Sequence, residues 1–108
     1  MSAWMDGPGN YGATLYGRRV RSCHLMADST AELLQLAQDL GLKADWIQHR
    51  GTPKEHFDLL GVRMMDKARR LGVRIVSGRE LVQRLRWRRA HGYIGESIPA
   101  YQCPEEAG

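Results

Sequence analysis

The sequence predicts a small single-domain α/β protein, with about four strands in a mostly parallel sheet and three helices. Two capping boxes, Ser29-Thr30-Ala31-Glu32 and Ser77-Gly78-Arg79-Glu80, each introduce a segment of helical periodicity. Short apolar runs alternate with those segments from residue 22 onward, the order expected of β-α-β units. The 108 residues, 43% hydrophobic and 26% charged, make one ordinary globular domain with room for a modest core.

In chain order, Ser2 to Asp6 reads as a first strand, ended by the turn-forming Gly7-Pro8-Gly9-Asn10-Tyr11-Gly12. Thr14-Leu15-Tyr16 reads as a turn or short helix, and Ser22 to Ala27 as a second strand. The first helix is capped by Ser29, repeats Leu33, Leu36, Ala37 and Leu40 on one face, and stops at Gly41. Ala44 to His49, with Trp46 and Ile47, reads as a third strand, followed by a polar loop from Arg50 to Glu55. A second helix spans about Leu60 to Leu71, with Leu60, Met64, Ala68 and Leu71 on one face and Gly72 as its stop. Val73 to Val76 is the fourth strand, and Ser77 opens a third helix to about Ala90. Residues 1–92 form the domain. Residues 93–108, with Gly95, Pro99 and Pro104 and no helical periodicity, read as a loosely attached tail.

The formal net charge is +4, and it is unevenly placed: residues 63–89 hold ten Lys and Arg against Asp66 and Glu80. Such a field draws anions such as nucleotides, nucleic acid or an acidic protein face. The third helix mixes Arg79, Arg84, Arg86, Arg88 and Arg89 with Trp87, a combination that holds phosphates and stacks bases. Solvated arginines are the plainer reading, so nucleic-acid contact is expected to be weak. No apolar run approaches the roughly 18 residues of a membrane span, and residues 1–12 have neither the basic nor the apolar region of a signal peptide. Cys23 and Cys103 lie far apart and outside any C-x-x-C pattern. Both read as reduced thiols of a cytoplasmic protein.

In open α/β sheets, ligands bind beyond the carboxyl ends of the strands. That rule selects Asp6, Asp28, Gln48, His49 and Ser77. Gly7 to Gly12 formally matches G-x-G-x-x-G, but a dinucleotide site needs a helix to open inside the motif, and Pro8 opposes one. Gly9 therefore belongs either to an ordinary turn or to a loop lying over a ligand. Along the second strand, His24, Met26 and Asp28 point one way. His24 and Asp28 are either an imidazole–carboxylate pair or a core residue and a helix cap. His56 and Asp58 share a face on either side of Phe57. His24, Asp28, His56 and Asp58 have the donor types of a metal site, yet no zinc or iron spacing is present, so neither metal nor cofactor is expected. There is no G-x-S-x-G elbow and no P-loop pattern.

Cys23-His24-Leu25-Met26-Ala27-Asp28-Ser29, Glu32-Leu33, Trp46-Ile47-Gln48, His56-Phe57-Asp58 and a basic helix running into Leu71-Gly72-Val73 follow one another in that order. The ordered set resembles the domain of unknown function family 4031, small proteins of bacteria and their phages, over about residues 2–86. The resemblance implies no established activity. It implies that Asp6, His24, Asp28, Gln48, His56 and Asp58 belong to one recurring pattern, with Arg63, in Val62-Arg63-Met64, near the family's basic stretch.

The expected function is binding or hydrolysis of a nucleotide or another phosphorylated small molecule in one polar pocket of drug-sized volume. His24, His56, Asp28 and Asp58 are the candidate catalytic groups, and Asp6, Gly9, Gln48 and Arg63 the candidate ligand contacts. The alternatives are non-catalytic sequestration of a nucleotide signal and a basic accessory module for nucleic acid or protein. A membrane partner is not expected, and a homodimer stays open.

Overall fold

Ten short elements make up the computed structural model, which describes residues 2–7, 9 and 13–103. In order they are β1 (Ala3–Asp6), β2 (Thr14–Leu15), β3 (Arg18–Arg19), β4 (Ser22–Ala27), α1 (Thr30–Leu40), a 3-10 turn (Ala44–Trp46), β5 (Phe57–Leu60), α2 (Val62–Arg70), β6 (Arg74–Val76) and α3 (Gly78–Ala90). Pro8, Asn10, Tyr11 and Gly12 of the glycine loop, and Pro104 to Gly108 of the tail, lie outside the described residues.

Both capping boxes form. The Ser29 hydroxyl accepts from the Glu32 N–H at 3.2 Å and the Ser77 hydroxyl from the Glu80 N–H at 3.1 Å. Gly41, at φ 78°, takes the left-handed conformation that closes α1. Thr14 to Arg19 is a hairpin rather than a turn or short helix. Its two loop residues, Tyr16 and Gly17, have φ of 52° and 76°, the backbone that a tight hairpin turn demands.

The main sheet has the order β5-β4-β1-β6 and is mixed, not mostly parallel. β1 runs parallel to β6 but antiparallel to β4, and β4 runs antiparallel to β5. The connection 7–21 turns the chain back between β1 and β4, and the segment 41–56 sets the direction of β5. Helix α1 carries the chain back along β4, and this second connecting stretch then returns it to the end where β4 finishes, so β5 starts beside Leu25 and ends beside Ser22. The expected third strand is absent. Ala44–Trp46 is a 3-10 turn with Trp46 53% exposed, and only Gln48 makes a bridge, with His56. The strand falls instead at Phe57–Leu60, where Phe57 and Leu59 are buried and Asp58 is exposed. Consequently α2 starts at Val62, and it buries Met65 and Ala68 while Leu71 stays exposed.

Two apolar layers follow from strand alternation. Met5, Cys23, Leu25, Phe57 and Leu59 pack under α1 and α2. On the other face Trp4, Met26 and Val76 pack under Leu81 and Leu85 of α3. The tail expectation is also corrected. Tyr93 is 2% exposed, the Gly95 carbonyl accepts from the Thr30 N–H at 2.8 Å, and the Pro99 carbonyl accepts from Trp87 Nε1 at 2.8 Å. These are single, aperiodic contacts, which a search for periodicity does not register. Among the described residues no helix is long and apolar enough to cross a membrane.

Candidate functional site

The residues that face α3 also include a polar row. Asp6 closes β1, His24 lies next to it in β4, and Asp58 is the register partner of His24 in β5. Cross-strand neighbours share a face, so three adjacent strands each contribute one polar group to the same surface. Asp6 is 4% exposed. Its carboxylate accepts from the His24 backbone N–H at 2.7 Å and pairs with His24 Nδ1 at 2.9 Å. One carboxylate thus fixes both the strand position and the ring of His24. This hydrogen bond raises the His24 pKa above its ordinary value, against the opposing effect of burial, and the charges of Asp6 and Asp58 add to the rise.

The loop 47–56 delivers the rest. Gln48 and His56 exchange two backbone hydrogen bonds, of 2.9 and 3.1 Å. Gln48 Nε2 donates to Asp58 Oδ2 at 2.5 Å. The His56 ring meets the His24 ring edge-on, with centroids 5.2 Å apart, and stacks on His49 at 6.0 Å. His56 Nδ1 lies 2.6 Å from the Lys54 carbonyl and Nε2 lies 3.4 Å from Asp58 Oδ1. One ligand-type atom from each of His24, His56 and Asp58 lies within 4.8 Å of the other two.

A cavity of about 200 Å³ opens beside this cluster. It is lined by the polar His24, His49, Lys54 and His56 and by the apolar Met26, Leu81 and Leu85. It is smaller than the drug-sized pocket expected from the sequence, for which roughly 300–1,000 Å³ is usual.

Of the residues selected from sequence, His24, His56, Asp58, Asp6 and Gln48 come together. Asp28 does not. Because β4 is antiparallel to β1, Asp28 sits at the start of β1, where its N–H donates to the Ser2 carbonyl. There it lines a separate gap of about 30 Å³ with Trp4, Arg84 and Arg88, room for a water but not a ligand. Burial raises its pKa most, and Glu32 adds to the rise. Gly9 exchanges two backbone hydrogen bonds with Ser22, of 2.9 and 3.0 Å. Arg63 is exposed on α2, whose buried residues pack on the opposite face of the sheet. Lys54 was not selected, since a lone lysine in a polar loop carries no spacing signal.

The basic helix is only partly a solvated face. Arg84 Nε donates to Glu80 Oε2 at 2.8 Å, and its guanidinium lies 4.5 Å from the Trp4 ring. Arg88 is 3% exposed and donates to the backbone carbonyls of Pro53, Glu55 and Ala27. Neither is placed as a phosphate contact. Cys23 is no nucleophile: burial, and then the charges of Asp6 and Asp58, push its thiol up to about 12.

Fold and site together define a small mixed-sheet domain whose α3-facing surface carries a histidine–carboxylate cluster beside a cavity. A profile of the family described as "Protein of unknown function (DUF4031)" matches residues 12–88, more than half of the chain, and the chain belongs to that family. No curated protein and no solved structure matches it. The matched span contains His24, Gln48, His56 and Asp58, and stops short of Asp6 on one side and Tyr93 on the other.

Proposed function

We propose that the cavity beside α3 binds a small phosphorylated molecule of mononucleotide size, with its phosphoryl group against the His24–His56–Asp58 cluster. The observation that carries this reading is the mixed lining. Met26, Leu81 and Leu85 offer apolar surface to a ring or sugar face, while Lys54, beside the imidazoles of His24, His49 and His56, offers a cation to anionic oxygens. The volume of about 200 Å³ is on the scale of one phosphorylated ring. The hold of Asp6 on His24 supports the same reading, since a site for a directional ligand needs rings that do not turn.

The test is retention and release. The protein is incubated with nucleoside mono-, di- and triphosphates and sugar phosphates, desalted and denatured, and the released compound is identified by mass spectrometry. An altered compound assigns turnover, and an intact one assigns sequestration. Lys54→Ala, at an exposed position, should weaken retention about tenfold or more, the scale of one charge-assisted hydrogen bond. Failure to retain or alter any member of the panel refutes the reading.

A further inference from the structure

We propose that His24, His56 and Asp58 bind one divalent transition-metal ion of the zinc type, with its open coordination position facing the cavity. The three donors are two imidazoles and a carboxylate, with one ligand atom of each already within 4.8 Å of the others. Bonds of about 2.0–2.2 Å to a tetrahedral ion need donors roughly 3.4 Å apart. His56 Nε2 and Asp58 Oδ1 already stand 3.4 Å apart, so the remaining adjustment lies in their distances to His24.

The second observation is how the rings are held. A carbonyl oxygen only accepts, so the contact with Lys54 O puts the His56 proton on Nδ1. The Asp6 carboxylate does the same for His24. Ligation of the ion is then through Nε2 of each ring. Nδ1–H held by a carboxylate or a backbone carbonyl is the usual outer support of a metal-binding histidine. Asp58 has the matching support, because its Oδ2 accepts from Gln48.

The third observation is a spacing. His56 Nε2 and Asp58 Oδ1 face each other at 3.4 Å, the separation of two ligands of one tetrahedral ion. His24 is the third ligand. Two imidazoles select a transition metal over magnesium or calcium, which take oxygen ligands. Three protein ligands leave a position for water or substrate. That this position takes a phosphoryl oxygen rests on the functional reading above; the metal site itself does not. A bound ion also occupies both Nε2 lone pairs, so His24 and His56 serve as ligands and not as the acid and base expected from sequence.

The experiment titrates EDTA-stripped protein with cobalt(II) chloride, read by visible d–d absorption, and with zinc(II) chloride, read by calorimetry. The expected result is one ion per chain. Asp58→Asn and His56→Gln should each weaken affinity about 100-fold or more, beyond the roughly 10–100-fold loss typical of outer-sphere partners. Asp6→Asn should fall within that outer-sphere range, because its amide NH2 can face His24 Nδ1 and move the ring proton to Nε2. His91→Ala, at the far end of α3 and stacked on Trp87 at 4.1 Å, should bind as wild type. Thermal melts of each metal-free variant separate lost ligation from lost fold. Absence of cobalt absorption, or unchanged affinity in both Asp58→Asn and His56→Gln, overturns the metal site. Phosphate-compound retention measured in EDTA keeps the two readings apart. Retention without metal binding removes only the metal site, and metal binding without retention of any panel member removes only the phosphate reading.

Discussion

Replacing Tyr93 by Phe removes one oxygen and tests whether the segment after α3 belongs to the domain. The Tyr93 hydroxyl donates to Glu55 Oε2 at 2.5 Å, and Glu55 is 0% exposed. Thr30 Oγ1 and the Gly51 N–H, at 2.5 and 3.0 Å from Oε1, remain as donors. The ring still packs on Arg88, whose guanidinium carbon lies 4.0 Å from the Tyr93 centroid. The loss is therefore one hydrogen bond to a buried carboxylate, about 2 kcal/mol. At roughly 4–6 °C per kcal/mol for a domain of this size, the melting temperature at pH 7 should fall by about 10 °C. The pH profile gives a second signature. Burial, and then the hydrogen bond to Glu55, raise the Tyr93 pKa above that of a free tyrosine. The folded state holds this proton more tightly than the unfolded chain does. That contribution is complete below about pH 10 and is lost as pH rises above it, so the gap between wild type and variant should narrow there. Circular dichroism melts across pH measure both. A melting temperature within about 2 °C of wild type at pH 7 would refute the reasoning.

Truncation after Gly92 should unfold the protein at 37 °C in the same melts, because it removes the whole Tyr93 ring, about 3–5 kcal/mol for a buried aromatic, together with the Gly95 carbonyl that caps Thr30. Arg88→Lys should cost about 3 kcal/mol or more in urea denaturation, since one ammonium cannot reach the Pro53, Glu55 and Ala27 carbonyls that the guanidinium spans. In native protein at pH 8, Cys103 should react with a thiol reagent and Cys23 should not, because Cys23 is 1% exposed and its thiol is pushed up to about 12; labelling of both at one rate would contradict the burial.

The parts of the fold legible in the sequence are those decided by local chemistry. Ser29 and Ser77 announce α1 and α3 because a capping hydroxyl and the N–H it accepts from are three residues apart. Strand β5 was not legible. Its alternation covers only Phe57 to Leu60, and Leu60 also completes a helical face with Met64 and Ala68. Sheet direction was less legible still, because it depends on where the connections 7–21 and 41–56 end and not on any residue type. Glu55, Arg88 and Tyr93 escaped notice because charged residues are rarely fully buried, and no pattern marks the exceptions. For the site, Asp6, His24, Gln48, His56 and Asp58 lie together, but not in the arrangement expected. The expected rim of parallel strand ends is a row across strands of opposite direction.

That reversal accounts for which of the candidate residues meet and which do not. Turning β4 against β1 sends Asp28 to the far end of the sheet and sets His24 beside Asp6. Turning β5 against β4 sets Asp58 opposite His24 and brings in the preceding loop with Gln48, Lys54 and His56. The loop is held by Glu55, which stands between Lys54 and His56 and is gripped by Thr30 from α1, Gly51 from the loop itself and Tyr93 from beyond α3. Arg88 closes the arrangement by binding the Pro53 and Glu55 carbonyls. The buried network therefore sets where the His56 imidazole stands. Loosening it moves a cluster member without touching any group in the cavity, so Tyr93→Phe should weaken cobalt binding as well as stability.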